Sequence, residues 1–177
     1  MACGDGGGTQ KSTSLMDIQN EVEFNFSGVA CTAGQPSSTN NAHMAIAEYA
    51  KKLKFTARLE RQDNRILLSE SYLSNSNPAC RITNVSSVLS MSSVNSEMGT
   101  TVKATNENQY LLVDERLECS STCKTDECDP SQSVYGETPV VILMTNSSLK
   151  LFKIEENGNP MFQCTDAKGL PGLEFHK

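Results

Sequence analysis

The chain has 177 residues, enough for one domain with a substantial core and too few for two. Its composition, 37% hydrophobic and 20% charged, is polar without being that of a disordered chain. A net charge of −6 argues against a nucleic-acid partner, and no run approaches the ~18 apolar residues of a membrane-spanning helix.

Residues 1–14 read as a flexible tether. Cys3 sits among small residues, Gly6-Gly7-Gly8 follows, and Thr9, Ser12, Thr13 and Ser14 continue a stretch with almost nothing to bury. Ala2-Cys3-Gly4 followed by this Gly/Ser/Thr tether resembles the mature N-terminus of bacterial lipoproteins. The resemblance covers this segment alone. It implies a signal peptide already removed, a diacylglyceryl- and palmitate-bearing Cys3, and a membrane partner reached through that anchor. With Gly4 rather than Asp after the cysteine, it implies the outer membrane, facing the periplasm or the surface. The acyl chains would supply the anchoring, at roughly 0.8 kcal/mol per buried CH₂.

Residues 15–177 read as a single disulfide-braced, β-rich domain. Val22, Phe24 and Phe26 alternate with Glu21, Glu23 and Asn25, the period-two pattern of a half-buried strand, with Gly28 ending or bulging it. Residues 40–53 give the one helix, with Ala42, Ile46, Tyr49, Ala50 and Leu53 on one stripe and Thr39 or Asn40 as its cap. Glu48 and Lys52 are spaced to pair along it. Phe55, Ala57 and Leu59 alternate next, and Gln62-Asp63-Asn64 turns the chain into Ile66 to Tyr72, a β-hairpin. Further strands are expected at 81–91, 100–105 and 109–118, then Val140 to Met144 and Leu149 to Ile154 across Asn146-Ser147-Ser148. A short strand ends near Cys164, and the Gly- and Pro-containing segment from Ala167 reads as a tail. The fold class is α+β and mainly antiparallel, with one amphipathic helix packed on a curved antiparallel sheet or a β-barrel or sandwich.

Of seven cysteines, removing Cys3 leaves Cys31, Cys80, Cys119, Cys123, Cys128 and Cys164, an even set suited to three disulfides in an oxidising compartment. Cys31 with Cys80 is the favoured pair, leaving Cys119, Cys123, Cys128 and Cys164 to pair among themselves. The rival is a zinc ion on those last four.

Catalytic patterns are poorly served. His43 falls in the first helical turn and reads as a surface or boundary residue; His176 falls on a frayed terminus. Asp114, Glu115 and Glu118 cluster on one strand, where alternation puts Asp114 and Glu118 on one face. Asp126, Glu127 and Asp129 form an acidic knot without the spacing of a calcium loop. No catalytic residue, metal or cofactor is assigned. The expectation is a non-enzymatic envelope lipoprotein that binds or scaffolds an envelope protein or ligand. The alternatives are a carboxylate-dependent hydrolase and a small-ligand carrier in a β-barrel.

Overall fold

The computed structural model describes residues 14–38, 41–91, 108–132, 136–153 and 162–177. Cys3 and the rest of the predicted tether up to residue 13, the helix caps Thr39 and Asn40, and the strand predicted at 100–105 lie outside them. The elements are β1 (Val22–Cys31), α1 (Ala42–Lys52), β2 (Thr56–Gln62), β3 (Arg65–Leu73), β4 (Arg81–Ser90), β5 (Gln109–Cys119), β6 (Glu137–Met144), β7 (Ser148–Lys153) and β8 (Pro171–His176). Each strand pairs antiparallel with the next and β8 returns to β1, so eight strands close a barrel in simple up-and-down order. Closure removes the exposed edges that an open sheet would leave unpaired.

The closing strand is the segment that the sequence presents as a tail. Pro171 is tolerated because it opens the strand. Gly172 is required because a Cβ there would lie 2.4 Å from both the Leu151 carbonyl oxygen and the Phe152 ring. Leu173 and Phe175 then alternate into the barrel opposite Leu151 and Leu149. His176 is therefore no frayed residue: it pairs in register with Asn25 on one side and Ser148 on the other. At Gly28 the ladder shifts register between Phe26 and Gly28, a bulge through which β1 continues to Cys31.

Hairpins at Gln62–Arg65 and Met144–Ser148 mark one end of the barrel. Asp63 takes the left-handed backbone (φ 55°) that the first of these turns needs. The half nearest this end is filled. Phe24, Ala57, Leu59, Ile66, Leu68, Leu112, Ile142, Leu149 and Phe175 form one buried cluster, joined by Leu15 and Ile18 from just before β1. Burying each of the larger side chains contributes roughly 1.5–3 kcal/mol.

The opposite end carries α1 and the β1–β2, β3–β4, β5–β6 and β7–β8 connections, and all three disulfides brace it. Cys31, the last residue of β1, is bridged to Cys164; Cys80, just before β4, to Cys123; and Cys119, the last residue of β5, to Cys128. The expected Cys31–Cys80 pair is not formed, and of the last four cysteines only Cys119 and Cys128 pair with each other. The reason is barrel order. β1 lies beside β8, where Pro36 bridges Cys164, whereas Cys80 leads into β4 beside β5. Cys119, Cys123, Cys128 and Cys164 all stand in bridges, so none of these four offers a thiolate to zinc.

Helix α1 starts after Asn41, whose backbone is left-handed (φ 51°) and whose side chain makes no capping bond. It ends where Lys54 (φ 49°) turns the chain into β2. The Lys52 ammonium donates to Asn75 Oδ1 at 2.8 Å rather than pairing with Glu48.

Candidate functional site: a roofed cavity at the braced end of the barrel

Four strands change character at a common height. Along β3 the inward positions run Ile66, Leu68, then Glu70 and Tyr72; along β7 they run Leu149, Leu151, then Lys153. On β4, moving the same way, Val88 gives way to Ser86 and Asn84, and on β5 Leu112 gives way to Asp114. The register brings these breaks together, with Leu68 opposite Ser86, Glu70 opposite Asn84 and Ser86 opposite Asp114. A polar belt on β3, β4, β5 and β7 therefore lines part of the lumen above the packed half.

The belt is internally bonded. The Lys153 ammonium lies 3.3 Å from Glu70 Oε2. β3 and β7 stand four strands apart in a ring of eight, so this pair crosses the lumen from wall to wall. Glu70 is only 6% exposed, while the Lys153 side chain keeps 39% of its surface. Asp114 Oδ1 accepts hydrogen bonds from Ser86 Oγ at 2.8 Å and Asn84 Nδ2 at 3.1 Å. A Cβ on Gly136 would come within 2.9 Å of the other Asp114 oxygen. Phe55 and Tyr72 stack with ring centroids 5.6 Å apart and planes 5° apart. Burial, then the neighbouring Tyr49 and Glu70, push the Tyr72 phenol above its ordinary range, so it stays a neutral hydroxyl at physiological pH.

Beside the belt lies a cavity of about 580 Å³ lined by Ala45, Ile46, Tyr49 and Ala50 of α1, Phe55, and the barrel residues Leu151 and Leu173. A smaller chamber of about 320 Å³ holds Tyr72, Asn84 and Asp114. The two share Phe55, Glu70 and Lys153. Helix α1 thus roofs the mouth. Of its predicted stripe, Ala50 and the following Leu53 are buried, whereas Tyr49 is 55% exposed. The helix turns small side chains towards open volume instead of closing over a core. The sequence carries a partial signal: Ala50 on the stripe and Ala45 beside it are too small to fill the barrel end.

The other sequence candidates lie elsewhere. β5 carries a bulge opposite Val85 and Ser86, which pair with Arg116 and Asp114, leaving Glu115 as the extra residue. An extra residue inverts the alternation. Asp114 and Glu118 are therefore on opposite faces, not the same one. Glu118 is bound to Arg116 at 2.7 Å, and Glu115 to Arg65 at 2.8 Å and to Ser87. In the acidic knot, the Lys124 backbone N–H, then Asn77 and Ser76, hold the Glu127 carboxyl below its ordinary range, and Ser131 does the same for Asp129. These carboxylates shape their own loop, and among the described residues no three His, Cys, Asp or Glu side chains are grouped to hold a metal. His43 is half-buried, its ring 6.4 Å from Phe162, and its buried Nδ1 has no hydrogen-bond partner among the described residues.

Fold and site together define an up-and-down antiparallel barrel, packed at one end and open to an amphipathic cavity at the other. Comparison of the chain with protein-family models, with curated proteins and with solved structures finds no match.

Proposed function

We propose that this chain is a non-enzymatic carrier: an exported, lipid-tethered protein whose barrel mouth holds a small molecule with an apolar body. The observation that carries the reading is the cavity between α1 and the barrel wall, about 580 Å³ and lined chiefly by apolar side chains. A volume of several hundred Å³, mostly apolar with a few placed polar groups, suits a small-molecule site. The three bridges fix the walls around it, so little ordering remains to be done when a ligand enters. The lumen carboxylates fit binding better than hydrolysis, because Glu70 is tied to Lys153 and Asp114 to Asn84 and Ser86.

Export is supported by the six cysteines at bridging distance, an arrangement that an oxidising compartment favours. The proposed address is the bacterial outer membrane, through acylation of Cys3.

Two experiments test the proposal. The neutral dye N-phenyl-1-naphthylamine should bind saturably with enhanced fluorescence. Ala45→Trp, which adds an indole at the mouth from a surface position, should abolish that binding without changing stability in urea. Absence of saturable binding, or binding untouched by the tryptophan, sinks the carrier reading. For the address, labelled palmitate should be incorporated into the protein expressed from its natural gene and lost on Cys3→Ala. Label that persists rejects the anchor.

A further inference from the structure

We infer that the ligand of the barrel mouth is an organic cation, a protonated amine on an apolar chain or ring. The inference rests on the carrier reading of the same cavity and adds the chemistry of the ligand's head group.

The argument is one of charge. The belt places two carboxylates in the lumen, Glu70 and Asp114, against one ammonium, Lys153, which is already engaged with Glu70 across the barrel. Arg116 borders the smaller chamber, but its guanidinium is held by Glu118 at 2.7 Å and Glu115 at 3.7 Å. Among the described residues, the side-chain donors to Asp114 are the neutral Asn84 and Ser86, and no cation pairs with it. The lumen thus carries a surplus negative charge next to an apolar chamber, where charge interactions are stronger than in water.

An entering head group meets that surplus directly. An ammonium gains a charge-assisted hydrogen bond to Asp114 and leaves the Glu70–Lys153 pair intact. A hydroxyl gains a weaker bond. A carboxylate, sulfate or phosphate brings a further like charge into the belt and is rejected. The stacked Phe55 and Tyr72 faces border the same space and offer the ring surface that organic cations favour. The apolar remainder then lies under α1 against Ile46, Leu151 and Leu173.

The test is competition against bound N-phenyl-1-naphthylamine by decylamine, decanol and decanoate at neutral pH, three ligands with one chain and three head groups. Decylamine should displace the dye at about tenfold lower concentration than decanol, as expected for a hydrogen bond to a charged partner, with decanoate weakest. Asp114→Asn, which keeps the acceptor for Asn84 and Ser86, should erase the amine preference and leave decanol unchanged. Should that variant not fold, Lys153→Met carries the test: by freeing Glu70 as well, it should widen the preference for the amine. Decanoate binding as tightly as decylamine, an unchanged ratio in Asp114→Asn, or a narrowed one in Lys153→Met overturns the cation assignment and leaves the carrier reading standing. Failure of the dye to bind, or of all three ligands to displace it, removes the carrier reading itself.

Discussion

Opening the Cys31–Cys164 bridge should cost more stability than opening either of the others. It joins residues 133 apart in sequence, against 43 for Cys80–Cys123 and 9 for Cys119–Cys128. If a cross-link acts by restricting the unfolded chain, these separations correspond to about 5, about 4 and about 2.6 kcal/mol at 25 °C. The Cys80–Cys123 bridge lies within the largest loop and shortens it, which trims the first figure by only about 0.3 kcal/mol. The assay is urea unfolding of C31A/C164A, C80A/C123A and C119A/C128A. Cys80 is fully buried, so its replacement also loses packing, and free energy alone would mix the two effects. The dependence on urea separates them, because it grows with the surface that the unfolded chain exposes and should rise most in C31A/C164A. If C119A/C128A loses as much stability as C31A/C164A, or the urea dependence of C31A/C164A matches wild type, the entropic reasoning is refuted.

Three further outcomes follow from particular contacts. Gly172→Ala should destabilise by about 3 kcal/mol in thermal unfolding, since its methyl must push β8 away from the Leu151 carbonyl and the Phe152 ring, both 2.4 Å away; a loss under about 1 kcal/mol would mean that the seam yields freely. Lys153→Met should cost about 2 kcal/mol by stranding a carboxylate that is 6% exposed, less than for a fully buried pair because the ammonium is partly solvated, and adding Glu70→Leu should recover most of it; a double variant no better than the single denies the pair its place as a strut. Burial pushes the Glu174 carboxyl up, but hydrogen bonds from His176 and Lys150 and their charges outweigh it and leave it below the ordinary value of 4.5. A carboxyl lowered by folding stabilises above the unfolded value, and that contribution is lost as pH falls through the folded one. Glu174→Gln should therefore be less stable than wild type at neutral pH, with the gap closing in acid; urea midpoints that differ by the same amount at every pH would contradict this.

What could be read from the sequence was local. Val22, Phe24 and Phe26 announce a half-buried strand by period alone, and Asp63 marks the β2–β3 turn because it tolerates the left-handed backbone found there. The α1 stripe was equally plain. What could not be read depends on which strands meet. The Leu173 and Phe175 alternation is only a few residues long and sits among Gly169, Pro171 and Gly172, which taken alone signal a loop. Without β8 there is no β1–β8 seam, and without the seam nothing places Cys31 beside Cys164. The belt was hidden in the same way. Glu70 after Leu68, Lys153 after Leu151 and Asp114 after Leu112 each look like a strand surfacing into water. Only closure aligns the three breaks around one lumen. A period-two count puts Glu118 on the wrong face because it does not see the bulge that intervenes after Asp114.

The two halves of the barrel are stabilised by different means, and this bears on the proposal that the mouth takes a ligand. At the hairpin end, dense apolar packing supplies the folding energy. At the other end an ion pair crosses the lumen and the roof helix leaves Tyr49 mostly in water, so apolar packing contributes less there. The disulfides offset that deficit through the unfolded chain and without filling the volume, so they hold the mouth in shape while leaving it open. A molecule whose apolar body packs under α1 and whose ammonium answers Asp114 would add contacts of both kinds at that end. Its binding would appear as added stability, about 2.7 kcal/mol at a hundred times its dissociation constant.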